Sequence, residues 1–155
     1  MELIKARHEH FSIVKNIVSN TINNIYPNYY PEGAVEFFLS HHSDENIKNA
    51  IERKEVYLLL EKNNFIGTGS IKENEICRLF VLPQYQGQGY GTKIMDILEK
   101  LLFESFDEVK LDASFPAYDM YIKRGYIPTT YNKILTEKGH YLCYHVMKYI
   151  CKKEK

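Results

Sequence analysis

Apolar residues recur along this chain at two spacings, and the switches between them divide it into elements. Glu2 to Arg7 reads as a short first strand. From Glu9, the residues Phe11, Val14, Val18, Ile22 and Ile25 return every three or four positions, the period of one helical face, until Pro27 ends the run. Beyond the loop "IYPNYYPEG", Pro31 is placed to open a second helix at its first position, continuing through "AVEFFLSHH". Ser43 or Asp44 offers a cap for a further short helix through Ile47 and Ile51.

The period then drops to two. "EVYLLLEK", the turn "NN" and "FIGTGSIKEN" predict a hairpin, and "EICRLFVLP" a third strand stopped by Pro83. A glycine-rich loop leads into a helix with Ile94, Ile97, Leu98, Leu101 and Leu102 on one face. "EVKLDAS" alternates Val109, Leu111 and Ala113 inward as another strand. "AYDMYIKRG" is a short helix closed by Gly125, a left-handed cap. "YIPTTYNKI" and "YLCYHVMKYI" finish as two strands around "EKGH". The order β-αα-βββ-α-β-α-ββ places antiparallel strands first. A strand-helix-strand crossover follows, which requires a parallel pair. The expected class is α/β: a mixed, mostly antiparallel central sheet with helices on both faces.

Composition narrows the function classes. The 155 residues suit one domain, expected over 1–150 with a polar tail at 151–155. Twenty basic and twenty acidic side chains cancel, so the chain lacks the basic footprint of a nucleic-acid or membrane-surface binder. Cys77, Cys143 and Cys151 are too few and too scattered for a disulfide framework or a zinc site. His41 and His42 are adjacent, so they do not share a helix face as metal ligands, and read as a polar helix end. No metal is expected. "MELIKARHEH" lacks the apolar core of a signal peptide, and "VYLLL" is far too short to span a bilayer. The expected compartment is the cytoplasm.

The chemistry-bearing stretch is "LPQYQGQGYGTKIM". Glycine costs a helix about 1 kcal/mol relative to alanine, so three glycines at a helix start require a cause. A helix N-terminus carries four unpaired N–H groups and partial positive charge, and neighbouring glycines let an anion approach the backbone. The alternative is a loop that merely turns the chain. A Walker loop fails, because Thr92 stands where its second glycine belongs and Ile94 follows Lys93. A dinucleotide fingerprint also lacks its third glycine, although Asp112 ends the next strand where a ribose-binding acid belongs.

The pattern present is Gln86-x-x-Gly89-x-Gly91 after "LFVLP". It resembles motif A, [RQ]-x-x-G-x-[GA], of the GNAT superfamily of N-acetyltransferases. "AYDMYIKRGY" is similar to that family's later A-x-x-x-Y-x-x-x-G-[FY] helix, with Ala117, Tyr121, Gly125 and Tyr126 in place. The likeness runs from about Glu55 to Lys148. It implies acetyl-CoA as cosubstrate, held by Phe80, Val81, Gln86, Gly87, Gln88, Gly89, Tyr90, Gly91, Thr92, Ser114 and Tyr121. The loop amides would take the pyrophosphate, while amides around Phe80 and Val81 would face the thioester and pantetheine. Two positions depart from the pattern: Ser114 stands where many members have asparagine, and Gln86 where arginine is commoner.

The implied reaction is direct acetyl transfer to a primary amine of a small molecule or peptide. An amine of pKa near 10.4 is only about 0.1% neutral at pH 7.4, so a base is needed. Glu75, eleven residues before Gln86, is the candidate, with Glu73 as the alternative on the same strand face. Tyr121 would protonate the leaving thiolate. Tyr26, Tyr29 and Tyr30 lie where this fold forms its acceptor pocket, to line it or to pack the loop onto the core. Cys77 reads as a core thiol. A non-catalytic CoA-binding sensor and a dinucleotide-binding protein are the competing readings. The assembly expected is a monomer, or a homodimer paired through the C-terminal strands.

Overall fold

In the computed structural model, which describes residues 1–152, seven strands form one sheet: β1 (Glu2–Lys5), β2 (Val56–Glu61), β3 (Asn64–Lys72), β4 (Glu75–Val81), β5 (Glu108–Ala113), β6 (Ile127–Leu135) and β7 (Tyr141–Ile150). Residues 153–155, most of the expected polar tail, lie outside the described residues. Helices α1 (Phe11–Ile25), α2 (Glu32–His41) and α3 (Asp44–Glu52) connect β1 to β2. Helix α4 (Tyr90–Phe103) connects β4 to β5, and α5 (Tyr118–Arg124) connects β5 to β6. Three helices therefore stand where the sequence order counted two. Ser43 makes the break: its hydroxyl accepts the Asn46 N–H at 3.2 Å and starts α3 as a separate helix.

The spatial order is β1-β2-β3-β4-β5-β7-β6. Every pairing is antiparallel except β4 with β5, the crossover around α4. The last hairpin folds back so that β7 lies beside β5 and β6 becomes the edge. Period-two alternation divides the core into two layers. Val56 and Leu58 face α1, α2 and α3, with Val14, Ile22, Ala34 and Ile47. Leu59 and Ile66 face α4 and α5, with Ile94, Leu98, Val109 and Leu111.

Helix α4 lies close against β3 because of two glycines. A Cβ on Gly67 would come within 2.9 Å of Ile94, and one on Gly69 within 2.8 Å of Leu98. The buried stripe of α4 differs from the expected one. Met95 and Glu99 are buried, whereas Leu101 is exposed. Glu99 can be buried because Tyr126 Oη donates to it at 2.8 Å and the Arg124 guanidinium donates to both its oxygens. That network ties α4 to the end of α5, where Gly125 takes the left-handed conformation expected of it. Among the described residues, no helix is long and apolar enough to cross a membrane.

Candidate active site

The sheet opens between β4 and β5. Their parallel register consists of Glu75 with Lys110, after which β5 pairs only with β7. On its other edge β4 carries a bulge: Thr68 opposes Phe80 and Ser70 opposes Cys77, so Arg78 and Leu79 share the place opposite Gly69. Arg78 takes a φ of 51°, a costly conformation for a long side chain.

Beyond the bulge, Leu82 N–H bonds to Ile66 of β3 at 2.9 Å. Strand alternation then turns Phe80 toward β3 as well, and aims the N–H groups of Leu79 and Val81 into the gap. The Val81 carbonyl points the same way. It accepts the Gln86 amide at 2.9 Å and the Thr21 hydroxyl at 3.2 Å in place of a strand partner.

One side of the gap is a cleft of about 320 Å³ between the glycine loop, the end of α1 and the start of α5. Gly87 and Gly89 have φ of 73° and 84°, and nothing lies within 4 Å of a Cβ built at either. Backbone conformation rather than crowding is what requires glycine there. The first α4 bond runs from Lys93 N–H to the Gly89 carbonyl at 3.1 Å, so helix pairing leaves the N–H groups of Tyr90, Gly91 and Thr92 unused. Unpaired N–H groups at a helix start are chemically suited to an anion, and no charged side chain is among the lining residues of this cleft.

The other side is a cavity of about 230 Å³ between β4, β5, α2 and β7. Glu75, Arg78, Asp112, His41 and His42 bring charge or polarity to it, and Phe37, Phe38 and Tyr144 bring rings. Burial raises the Glu75 carboxyl above its usual range, and Asp112 nearby adds to the shift. Partial burial raises Asp112 too, although its side chain reaches solvent through the cavity mouth. His42 is buried; its Nδ1 accepts from Arg78 Nε at 3.2 Å, and burial followed by the Arg78 charge pushes it down to about 3. Cys77 is pushed up to about 11 by burial, which keeps the thiol protonated and unsuited to forming an acyl-enzyme. The two cavities share Tyr26, Leu79, Phe80 and Ser114.

The expected site residues divide accordingly. Phe80, Val81, Gln86, Gly87, Gly89, Tyr90, Gly91, Thr92 and Ser114 all line the loop cleft. Gln88 does not; its amide caps the Gln84 carbonyl at 3.2 Å. The Phe80 N–H turns to β3, so Leu79 rather than Phe80 accompanies Val81 in the gap. Tyr121 is buried in the second cavity, outside the loop cleft, and burial raises its hydroxyl well above the ordinary phenol value.

Of the three loop tyrosines, Tyr26 lines both cavities, and burial raises its hydroxyl to about 12 against the partly offsetting Ser114 hydroxyl. Tyr30 lines neither. Its hydroxyl accepts the Phe115 N–H at 2.7 Å and its ring stacks on Phe115, tying this loop to the start of α5. Tyr29 is 51% exposed, because the short turn Tyr26–Asn28 rotates it outward.

Two other expectations are corrected. Glu73 is not on the face of β4: it sits exposed in the turn before that strand with φ of 53°. His42 is a buried cavity residue rather than part of a polar helix end. Sequence reasoning also missed Arg78, and treated Asp112 only as a ribose-binding acid. Asp112 occupies the polar phase of "EVKLDAS", a signal that ordinarily marks a solvated face; here the helical layer of α2 encloses that face.

The profile of the acetyltransferase (GNAT) domain family matches residues 25–149. No curated protein matches significantly. Among solved structures, a GCN5-related N-acetyltransferase from Rhodopseudomonas palustris is 23% identical with a TM-score of 0.87, covering 97% of this chain and 95% of that one. The PaiA N-acetyltransferase of Thermoplasma acidophilum, solved with coenzyme A, is 18% identical with a TM-score of 0.72 over 97% and 98% of the two chains. The ribosomal-protein-S18-alanine N-acetyltransferase of Escherichia coli is 13% identical with a TM-score of 0.72 over 99% and 96%. These structures share the fold. With a profile match across most of its length, this chain belongs to the GNAT acetyltransferase family.

Proposed function

We propose that the protein transfers the acetyl group of acetyl-CoA to a primary amine by direct attack within a ternary complex. The observation that carries this reading is the meeting of two cavities at the β4–β5 gap, where unpaired backbone N–H groups face the junction. The loop cleft suits the cosubstrate. The N–H groups of Tyr90, Gly91 and Thr92, exposed by left-handed glycines, match a pyrophosphate. Those of Leu79 and Val81 match the pantetheine amide and the thioester carbonyl, whose oxygen gains charge during attack.

The acceptor amine enters from the second cavity and meets the thioester near Tyr26 and Ser114. Its nitrogen forms the new C–N bond as the C–S bond breaks. The ammonium first gives up one proton to the base, the neutral nitrogen sheds a second as the amide forms, and CoA departs as a thiolate that regains one. Glu75 is the base: its raised carboxyl is closer to the working pH than an ordinary one. It lies up to about 13 Å along the strand from Leu79, at roughly 3.3 Å per residue, so the proton reaches it through water. Tyr121 lines the same cavity and donates a hydrogen bond to the leaving sulfur. Its raised pKa makes full proton transfer to a thiolate unfavourable.

Thermal unfolding with acetyl-CoA, NAD or neither tests the cleft. A ligand at one hundred times its dissociation constant adds about 2.7 kcal/mol of stability. Acetyl-CoA should stabilise and NAD should not. CoA thiol release in the presence of amines then separates an enzyme from a sensor. Stabilisation by NAD alone rejects the reading.

A further inference from the structure

The second cavity holds a cation, Arg78, that no ion pair neutralises among the described residues. Arg78 spends Nε on His42, leaving the four N–H donors of its terminal nitrogens. His42, held neutral, accepts a hydrogen bond but supplies no charge. Among the described residues, no carboxylate lies within 4.0 Å of the Arg78 guanidinium. Glu55, the acid whose charge acts on it, is held by Arg53 at 2.9 Å. Arg124 shows the contrast: it too is partly buried, but Glu99 and Asp96 both pair with it. A partly buried guanidinium without a counter-ion is costly unless something else supplies the charge.

The bulge explains how Arg78 comes to be there. Ile76 and Leu79 pack with the α4 layer, whereas Phe80 packs with the opposite, α1–α3 layer. In a regular strand, the residue after Cys77 would follow Ile76 into the α4 core. The extra residue at the bulge, with its left-handed φ, instead turns Arg78 to the cavity side, beside Cys77. Backbone strain is thus spent on presenting a positive charge to the acceptor site. Glu75 and Asp112 line the same cavity, and neither forms an ion pair among the described residues. The space of about 230 Å³ is that of a small molecule rather than of a macromolecular segment.

We propose that the acceptor is a small amphoteric amine, its anionic group received by Arg78 and its amine directed toward the thioester, with Asp112 and Glu75 supplying negative charge in the same cavity. This rests on the acetyl-transfer reading for what becomes of the amine, but not for what binds. A planar carboxylate matches the guanidinium fork, and a phosphate offers the same chemistry.

The test uses the full-length protein, with and without CoA, against matched pairs of compounds. These are the standard amino acids with their carboxamides, and 2-aminoethyl phosphate with 2-aminoethanol. Binding is read by calorimetry and transfer by thiol release. The anionic member of at least one pair should exceed its neutral partner by about thirtyfold or more in affinity or kcat/KM, the scale of leaving a buried charge unpaired. The pair that responds identifies carboxylate or phosphate as the source. Arg78→Gln should bring the ratio close to one, and Arg78→Lys should keep part of it. If Arg78→Gln does not fold, as judged by circular dichroism, the wild-type ratios and Arg78→Lys decide. Equal or better use of neutral or purely cationic amines overturns the proposal, as does the absence of binding by every anionic member. Absence of both acetyl-CoA binding and thiol release sinks the transfer reading instead, leaving the binding ratios to judge the anion preference.

Discussion

The two cavities that meet at the β4–β5 gap are built from different materials. The loop cleft is backbone: left-handed Gly87 and Gly89, the first N–H groups of α4, and the strand N–H groups freed by the splay, with no charged side chain. The second cavity is side chain: Glu75, Arg78, Asp112 and His42, delivered by β4, β5 and the end of α2. A backbone site depends on local conformation and accepts many residue types at non-glycine positions. A site of charged side chains is particular to its residues. In the proposed reaction, the contrast would leave the cosubstrate to the backbone and the choice of acceptor to the side chains.

Gly89→Glu strikes the first half hardest. The substitution forces a side chain into φ of 84° and places a negative charge at the anion site. Acetyl-CoA affinity should fall on the order of a hundredfold or more, as expected from losing charge-assisted hydrogen bonds of roughly 1.5–3 kcal/mol each. Amino acid binding in the acceptor cavity should be unchanged. Calorimetry with each ligand separately checks both; a folded variant with wild-type acetyl-CoA affinity would mean the loop only turns the chain.

Glu75→Gln tests the second half through pH. The rate at neutral pH should drop by about tenfold to a hundredfold and recover in alkali, where the amine deprotonates unaided. The stability effect has the opposite sign. Because the folded carboxyl is raised, its favourable contribution is present below the unfolded value near 4.3 and is lost as pH rises through the folded value. Glu75→Gln should therefore raise Tm at neutral pH, with the difference fading in acid. A pH–rate profile beside Tm measured over the same range distinguishes a base from a structural carboxylate.

Tyr121→Phe should have a smaller effect, about tenfold or less in kcat with little change in the KM for acetyl-CoA. A hydroxyl raised by burial stabilises the thiolate as a hydrogen-bond donor more than it protonates it. Steady-state kinetics decide it; unchanged kcat reduces Tyr121 to packing against Tyr126.

His42 gives the subtlest signal. Its folded pKa of about 3 lies below the unfolded 6.5, so its contribution is intact above pH 6.5 and lost as pH falls toward 3. His42→Gln retains an acceptor for Arg78 and should flatten Tm between pH 6.5 and 4 relative to wild type. An unchanged slope would place the acid sensitivity elsewhere.

Much of the loop cleft was legible in the sequence because its determinants are close together along the chain. The glycines, the helix they open and the strand that stops at Pro83 all lie between Glu75 and Phe103, and each imposes its conformation locally. The second cavity was not. Tyr26, Tyr29 and Tyr30 looked equivalent, yet one short turn sends Tyr29 to solvent while Phe115, eighty-five residues on, takes the hydroxyl of Tyr30. Glu73 and Glu75 looked like neighbours on one face until the turn before β4 separated them.

By itself, the sequence determined the element types, the two-sided sheet, the parallel crossover around α4 and the glycine-rich loop that opens it. These follow from hydrophobic period, caps and glycine, all of which act within a few residues. Tertiary structure alone decided that β7 would insert beside β5, that β4 and β5 would part after Glu75, and that the bulge opposite Gly69 would turn Arg78 into the second cavity. Strand register and face are fixed by partners distant in sequence. A one-residue shift in β4 reverses which side of the sheet a side chain occupies, and with it the charge presented to the acceptor.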